Sequence, residues 1–157
     1  MNEQQLDQLE HDSGHKLPPV YRKVLLNYPQ ELIDFAEVYP MKNGPPDRHG
    51  PETAELYREE SMLRDANVKG KEYRSEIFPS AFFIIGDSGC GDYYAIDCRE
   101  NNSSVFMSGC HNVTMEYQEA YYDLEKRKTL PEPDFHEKVA NSLEDWIDHI
   151  RKMYAER

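Results

Sequence analysis

At 157 residues the chain is most simply one domain, long enough to bury roughly 70% of its unfolded surface without disulfide or metal staples. Lysine and arginine number 18 against 30 aspartates and glutamates, a net charge of −12. A field of that sign repels phosphate backbones and anionic lipid, so it argues against nucleic-acid and membrane binding and favours a basic protein partner.

The opening segment carries Leu6 and Leu9 on a polar background, a short amphipathic helix that stops at Ser13-Gly14. LPPVYRKVLLNYP then predicts a helix with proline in its first turn, where a missing N–H costs nothing. Tyr21, Val24, Leu25 and Tyr28 fall at i, i+3, i+4 and i+7 and form one buried face. Pro29 ends it, and QELIDFAEVYP extends to Pro40 as a further helical turn or two. The proline- and glycine-rich residues 41–51 are expected to be loop.

TAELYR alternates weakly as a short strand, and EESMLRDAN predicts a helix with Met62, Leu63 and Ala66 on its apolar side. The strongest strand signal comes next. AFFII is continuously apolar, as a strand covered on both faces would be. DSGCG supplies glycines for a turn, and DYYAIDC returns with aromatic and β-branched residues, which makes a hairpin. SSVFMSG and HNVTMEY predict two more strands, separated by a turn near Gly109-Cys110.

NSLEDWIDHIRKMY is the clearest helix. Asn141 or Ser142 can cap it, and Leu143, Trp146, Ile147, Ile150, Met153 and Tyr154 share one face. Helices at both ends of a run of hairpin-linked strands predict an α+β single domain over residues 1–157, with a central antiparallel sheet and the terminal helices packed around it.

The motifs that invite a catalytic interpretation fail on chemistry. Gly-Asp-Ser-Gly at 86–89 surrounds the nucleophile in trypsin-like proteases, but a triad also needs a histidine base and an orienting carboxylate. The upstream sequence here is largely helical and offers only His11, His15 and His49. Cys90 also stands where an α/β-hydrolase elbow needs its last glycine. A phosphate loop would open a helix and carry lysine; this one opens a strand and carries Asp87 and Asp92.

Cys90, Cys98, Cys110 and His111 lack the paired spacing of a zinc site, and HEKVA at His136 has Ala140 where a zincin needs its second histidine. Asp87, Asp92 and Asp97 lack the alternating ligand order of a calcium loop. No catalytic residue, metal or cofactor is expected. Three cysteines and an acidic N-terminus unlike a signal peptide predict free thiols in a cytoplasmic protein.

Four elements in order carry a resemblance. Leu17, Pro18, Tyr21 and Leu25 lie on the early helix. Ile84, Ile85, Gly86, Asp87, Gly89, Gly91, Asp92, Tyr93, Tyr94 and Asp97 form the glycine hairpin. Val105 and Phe106 lie on the next strand, and Ser142, Leu143, Trp146 and Ile147 on the last helix. Over residues 15–154 this pattern resembles the SUKH superfamily, which includes fungal cell-wall-assembly regulators and many bacterial toxin-immunity proteins. LLNYPQEL departs from it where many members have an Asn-Gly-Gly turn.

The resemblance implies a non-catalytic protein-binding module, an immunity protein that neutralises a toxin domain or a regulatory adaptor without a toxin. A basic nuclease toxin would suit the −12 charge. The expected partner-binding residues are Asp87, Asp92, Asp97, whichever of Tyr93 and Tyr94 faces outward, and Tyr117, Tyr121 and Tyr122. Gly86, Gly89 and Gly91 are expected to fix the hairpin, and Ser88 to be a turn residue.

Overall fold

A computed structural model describes residues 1–33, 55–88, 91–101, 103–109, 129 and 136–155. Helix α1 (Glu3–Ser13) starts in a capping box: the Asn2 side chain accepts the Gln5 N–H while the Gln5 side chain accepts the Asn2 N–H, both at 2.9 Å. It ends at Gly14, whose φ of 74° lets its N–H reach back to the Glu10 carbonyl. Helix α2 (Pro19–Leu26) begins on proline and buries Tyr21 and Leu25.

Arg22 holds the two helices together. Its guanidinium pairs with Glu3, with Asp7 at 2.9 Å and with Glu10 at 3.1 Å. Glu10 is buried and also accepts the Leu17 N–H at 2.9 Å and the Lys16 ammonium at 2.8 Å. Burial would raise its pKa, but these donors and Arg22 outweigh it and hold the carboxyl below its ordinary value.

The sheet has five antiparallel strands in the order β1 (Glu55–Leu56), β2 (Phe82–Asp87), β3 (Asp92–Asp97), β4 (Val105–Gly109) and β5 (Glu137–Ala140). With helices before and after it, the protein is α+β, as the hydrophobic pattern predicts. One face carries Phe83, against Tyr21 and His15, and Tyr94, 5.0 Å from the Trp146 ring of α5 (Leu143–Ala155). Phe82 and Phe106 pack edge to face on the other, beside Phe78 and His136. Residues 82–86 of β2 are accordingly all buried.

Ser142 accepts the Asp145 N–H at 3.0 Å to cap α5, and Leu143, Trp146, Ile147 and Ile150 are buried. The side chains of Met153 and Tyr154 lie outside those described. Arg151 pairs with Glu31 at 2.6 Å, which ties α5 to a helical turn at 30–33. The loop expected at 41–51, the continuation of the second helix to Pro40 and the strand HNVTMEY also lie outside the described residues.

Three features depart from the expectations. EESMLRDAN forms helix α3 (Glu60–Arg64), but its end widens into a π-helical turn, Asp65–Lys69. Helix α4 (Lys71–Ile77) comes after it, and β5 occupies the HEKVA segment; neither is evident from the apolar pattern.

The π turn has a clear consequence. β1 pairs only with Gly86 and Asp87, and the Tyr57 N–H reaches Ile85, so the earlier part of β2 lacks a strand on that side. Asn67 fills the gap from the π turn: its Oδ1 accepts the Ile84 N–H at 2.7 Å, and its Nδ2 donates to Ile84 O at 2.8 Å and Leu63 O at 3.0 Å. Two residues earlier in β2, the buried Arg74 donates to Phe82 O at 3.2 Å. A side-chain amide and a guanidinium thus complete the ladder where no strand does.

Gly70 closes the turn with its N–H on Asp65 O at 2.7 Å. A Cβ there would meet the same oxygen at 2.7 Å, so the position tolerates no side chain without the turn shifting. Cys98 is a free thiol just after β3, and burial pushes its pKa up to about 12, which disfavours the thiolate.

Asn67→Leu strands the Ile84 N–H and C=O in the interior and is expected to lower unfolding free energy by about 3 kcal/mol, read by urea denaturation. His15 allows a second check. It lies with Nε2 2.8 Å from Ser80 O, and with Arg74 3.2 Å and 3.4 Å from its two ring nitrogens. Burial and the Arg74 charge, with Lys71 adding to it, depress its pKa below the ordinary 6.5, against the opposing Ser80 and Ser13 carbonyls. The unfolded chain therefore binds the proton more readily. The His15 contribution is fully present above pH 6.5 and is lost as pH falls below it. His15→Gln is expected to flatten the stability profile between about pH 7 and 5; an unchanged profile would contradict the assignment.

Candidate functional site

The hairpin of β2 and β3 holds most of the residues singled out in the sequence. Where the two strands meet, the Ser88 N–H donates to Asp92 O at 2.9 Å and Gly91 has φ 97°, a region glycine enters without strain. Ser88 is only 4% exposed. A nucleophile must be reached by its substrate, so its burial in the turn agrees with a structural role. Gly86 lies between Leu56 and Tyr94 in the register, where β2 passes between its two neighbours. Gly89, Tyr117, Tyr121 and Tyr122 lie outside the described residues.

The register shifts by one residue between Ile84 and Gly86. Strand side chains alternate faces, so an extra residue reverses which face every later side chain takes. Without the bulge, Asp87 would lie on the opposite face from Ile84. With it, Asp87 shares a face with Ile84 and pairs across the strands with Tyr93. On the other side, Tyr57 comes just after β1 and donates its hydroxyl to Asp87 Oδ2 at 2.6 Å.

Tyr57, Ile84 and Tyr93 form one wall of a cleft, and Met62, Asp65, Ala66 and Gly70 of α3 and the π turn form the other; the space is about 400 Å³. Asp65 at its rim pairs with Lys69 at 2.6 Å. The hairpin thus presents Asp87, Asp92 and Tyr93 partly exposed beside a cleft with aromatic walls and an acidic rim.

Of the residues named for partner binding, Tyr94 and Asp97 are buried. Tyr94 is 3% exposed beneath Trp146, which leaves Tyr93 as the outward member of the pair. Asp97 is 6% exposed, because Arg99, two residues on, turns back over it. Its oxygens accept the Arg99 backbone N–H and Nε at 2.9 Å and Nη2 at 2.6 Å. Burial would raise the Asp97 pKa, but Arg99 overrides that and holds it below the ordinary carboxylate value. Asp97 is therefore a structural acid of the strand end.

Tyr57, Asp65 and Gly70 are cleft residues the sequence does not mark. They join the hairpin through a short strand and a π turn, neither of which has a pattern of its own. Among the described residues no three metal-ligating side chains converge, and no helix is long and apolar enough to cross a membrane.

The two tyrosines provide a direct check on the face assignment. Tyr94→Ala removes an aromatic ring from the core and is expected to cost about 3 kcal/mol, whereas Tyr93→Ala costs about 1 kcal/mol or less, both by denaturant titration. Equal losses would contradict the assignment.

Among known proteins, the model of the SMI1 / KNR4 family (SUKH-1) matches residues 1–149, nearly the whole chain and including α1, so the chain belongs to that family. No curated protein sequence and no solved structure matches it.

Proposed function

We propose that this SUKH-1 chain is a non-catalytic, cytoplasmic protein-binding domain, and that it serves as an immunity protein that neutralises a basic toxin domain by occupying it. The observation that carries the reading is the pairing of a −12 charge with an ordered hairpin face. Asp87, Asp92 and Tyr93 are held there on paired strands rather than on loose loops.

Acids in excess attract a basic partner at long range and raise its association rate. A tyrosine set among them supplies apolar contact at little conformational cost. A nuclease domain fits this description because it must be basic to hold its own substrate. Burial of Ser88 supports the non-catalytic half of the proposal. Tyr117, Tyr121 and Tyr122 remain proposed anchors in the same role.

The test is calorimetry of the purified chain with the basic protein encoded beside it, at two salt concentrations. A complex that weakens about tenfold or more between roughly 0.05 and 0.5 M salt, as charges are screened, is expected. Ser88→Ala should leave it unchanged. Absence of binding by any basic neighbour would overturn the immunity reading, and recovery of housekeeping complexes in a parallel pull-down would point to an adaptor.

A further inference from the structure

The cleft between the hairpin and the π turn has a chemistry more specific than its acidity. We infer that it receives a single arginine side chain of the basic partner, with the guanidinium against Tyr93 and within reach of Asp65. The inference rests on the reading of the chain as a binder of a basic protein, and it names the point of contact.

Size limits the occupant first. A space of about 400 Å³ lies at the small end of ligand sites. It takes one extended side chain or a small group, not a helix or an added strand.

The lining narrows it further. Met62, Ala66 and Ile84 are apolar and suit an aliphatic stem, while Tyr57 and Tyr93 bring aromatic rings. The ring face is the negative end of an aromatic quadrupole and attracts a cation. An apolar throat with an acid at its rim disfavours an anion and leaves a neutral polar group poorly matched. Arginine fits better than lysine, because its planar guanidinium can stack on a ring and still direct N–H groups to a carboxylate.

The walls are also held in place before anything enters. The Tyr57 hydroxyl is anchored on Asp87 at 2.6 Å, Asp87 is set on that face by the bulge, and Tyr93 is its cross-strand partner. The opposite wall is fixed by Asn67 on β2 and by the tight Gly70 turn. Little need be ordered when a side chain enters.

Asp65 already has a cation, Lys69 at 2.6 Å, but both side chains are well over half exposed. Such a pair contributes little and exchanges readily for a better-positioned guanidinium. Lys69 therefore acts as a placeholder that the partner's arginine displaces.

The experiment is a titration of the ¹⁵N-labelled full chain with N-acetyl-arginine amide, and separately with N-acetyl-norleucine amide, which has an apolar chain and no charge. The expected result is saturable shifts of the Met62, Ala66, Gly70 and Tyr93 amides with the arginine probe only. Affinity should fall about fivefold in Asp65→Asn and in Tyr93→Leu, and rise in Lys69→Ala, a surface change that leaves the fold intact. Unmoved cleft amides, equal shifts with norleucine, or affinity indifferent to all three substitutions would overturn the inference.

Ala66→Phe, which fills the cleft, separates this inference from the broader reading. If a basic protein binds wild type and Ala66→Phe equally well, the cleft assignment fails and the partner reading stands. If the arginine probe occupies the cleft while no basic protein binds, the cleft assignment stands and the partner reading fails.

Discussion

β2 is apolar on both faces, and β1, its neighbour on one side, is too short to cover its length. That mismatch governs the design around it. Bare N–H and C=O groups in the interior would each cost about 1–3 kcal/mol, and β1 reaches no further than Gly86, with Tyr57 adding one bond to Ile85. The remaining groups at Ile84 and Phe82 are met by Asn67 and Arg74, side chains from a π turn and the helix after it. Those segments must therefore lie against the strand edge. Their position places α3 beside α1, where Arg64 pairs with Asp12 at 2.7 Å.

The cleft is a by-product of the same solution. A π turn inserts one extra residue into a helix and so redirects the chain beyond it. Here it points Asn67 at the strand and leaves Asp65, Ala66 and Gly70 beside the open space. The bulge at Ile85 is the corresponding irregularity in the sheet, and it brings Asp87 to Tyr93. A regular helix and a regular strand in these places would seal β2 less well and would separate the acids and tyrosines that now meet. Two local departures from ideal geometry account for both the sealed edge and the cleft beside it.

That economy also explains which elements are legible in the sequence. AFFII, the glycine turn and the Trp146 face are legible because long apolar patterns and turn residues follow directly from burial and backbone sterics. KEYRSEI is not, since the residue it buries beside the strand is Arg74, and a buried guanidinium breaks the apolar period. EKVA is largely exposed and becomes a strand by pairing with β4, information that lies in a distant segment. Tyr93 and Tyr94 are adjacent and alike, so only the register against Trp146 separates them. Asp97 looks like any turn acid until Arg99 folds back over it. The cleft is the least legible feature, because a bulge and a π turn depend on one inserted residue and leave no periodic trace.

An excess of acid repels itself, and the fold answers that repulsion unevenly. Arg22 serves three carboxylates between α1 and α2, Arg64 serves Asp12 and Glu60, and Arg151 serves Glu31 and Asp148. Each of these arginines reaches a carboxylate on another element, so each offsets repulsion where acidic segments meet. At the cleft the arrangement differs: Lys69 and Asp65 belong to one turn and are both largely exposed, so their pair joins no two elements and its loss would unfold nothing. Charge at the helix junctions is committed to the fold, whereas charge at the cleft rim is exchangeable. The proposed capture of a cationic partner would draw only on the second kind and would leave the junctions intact.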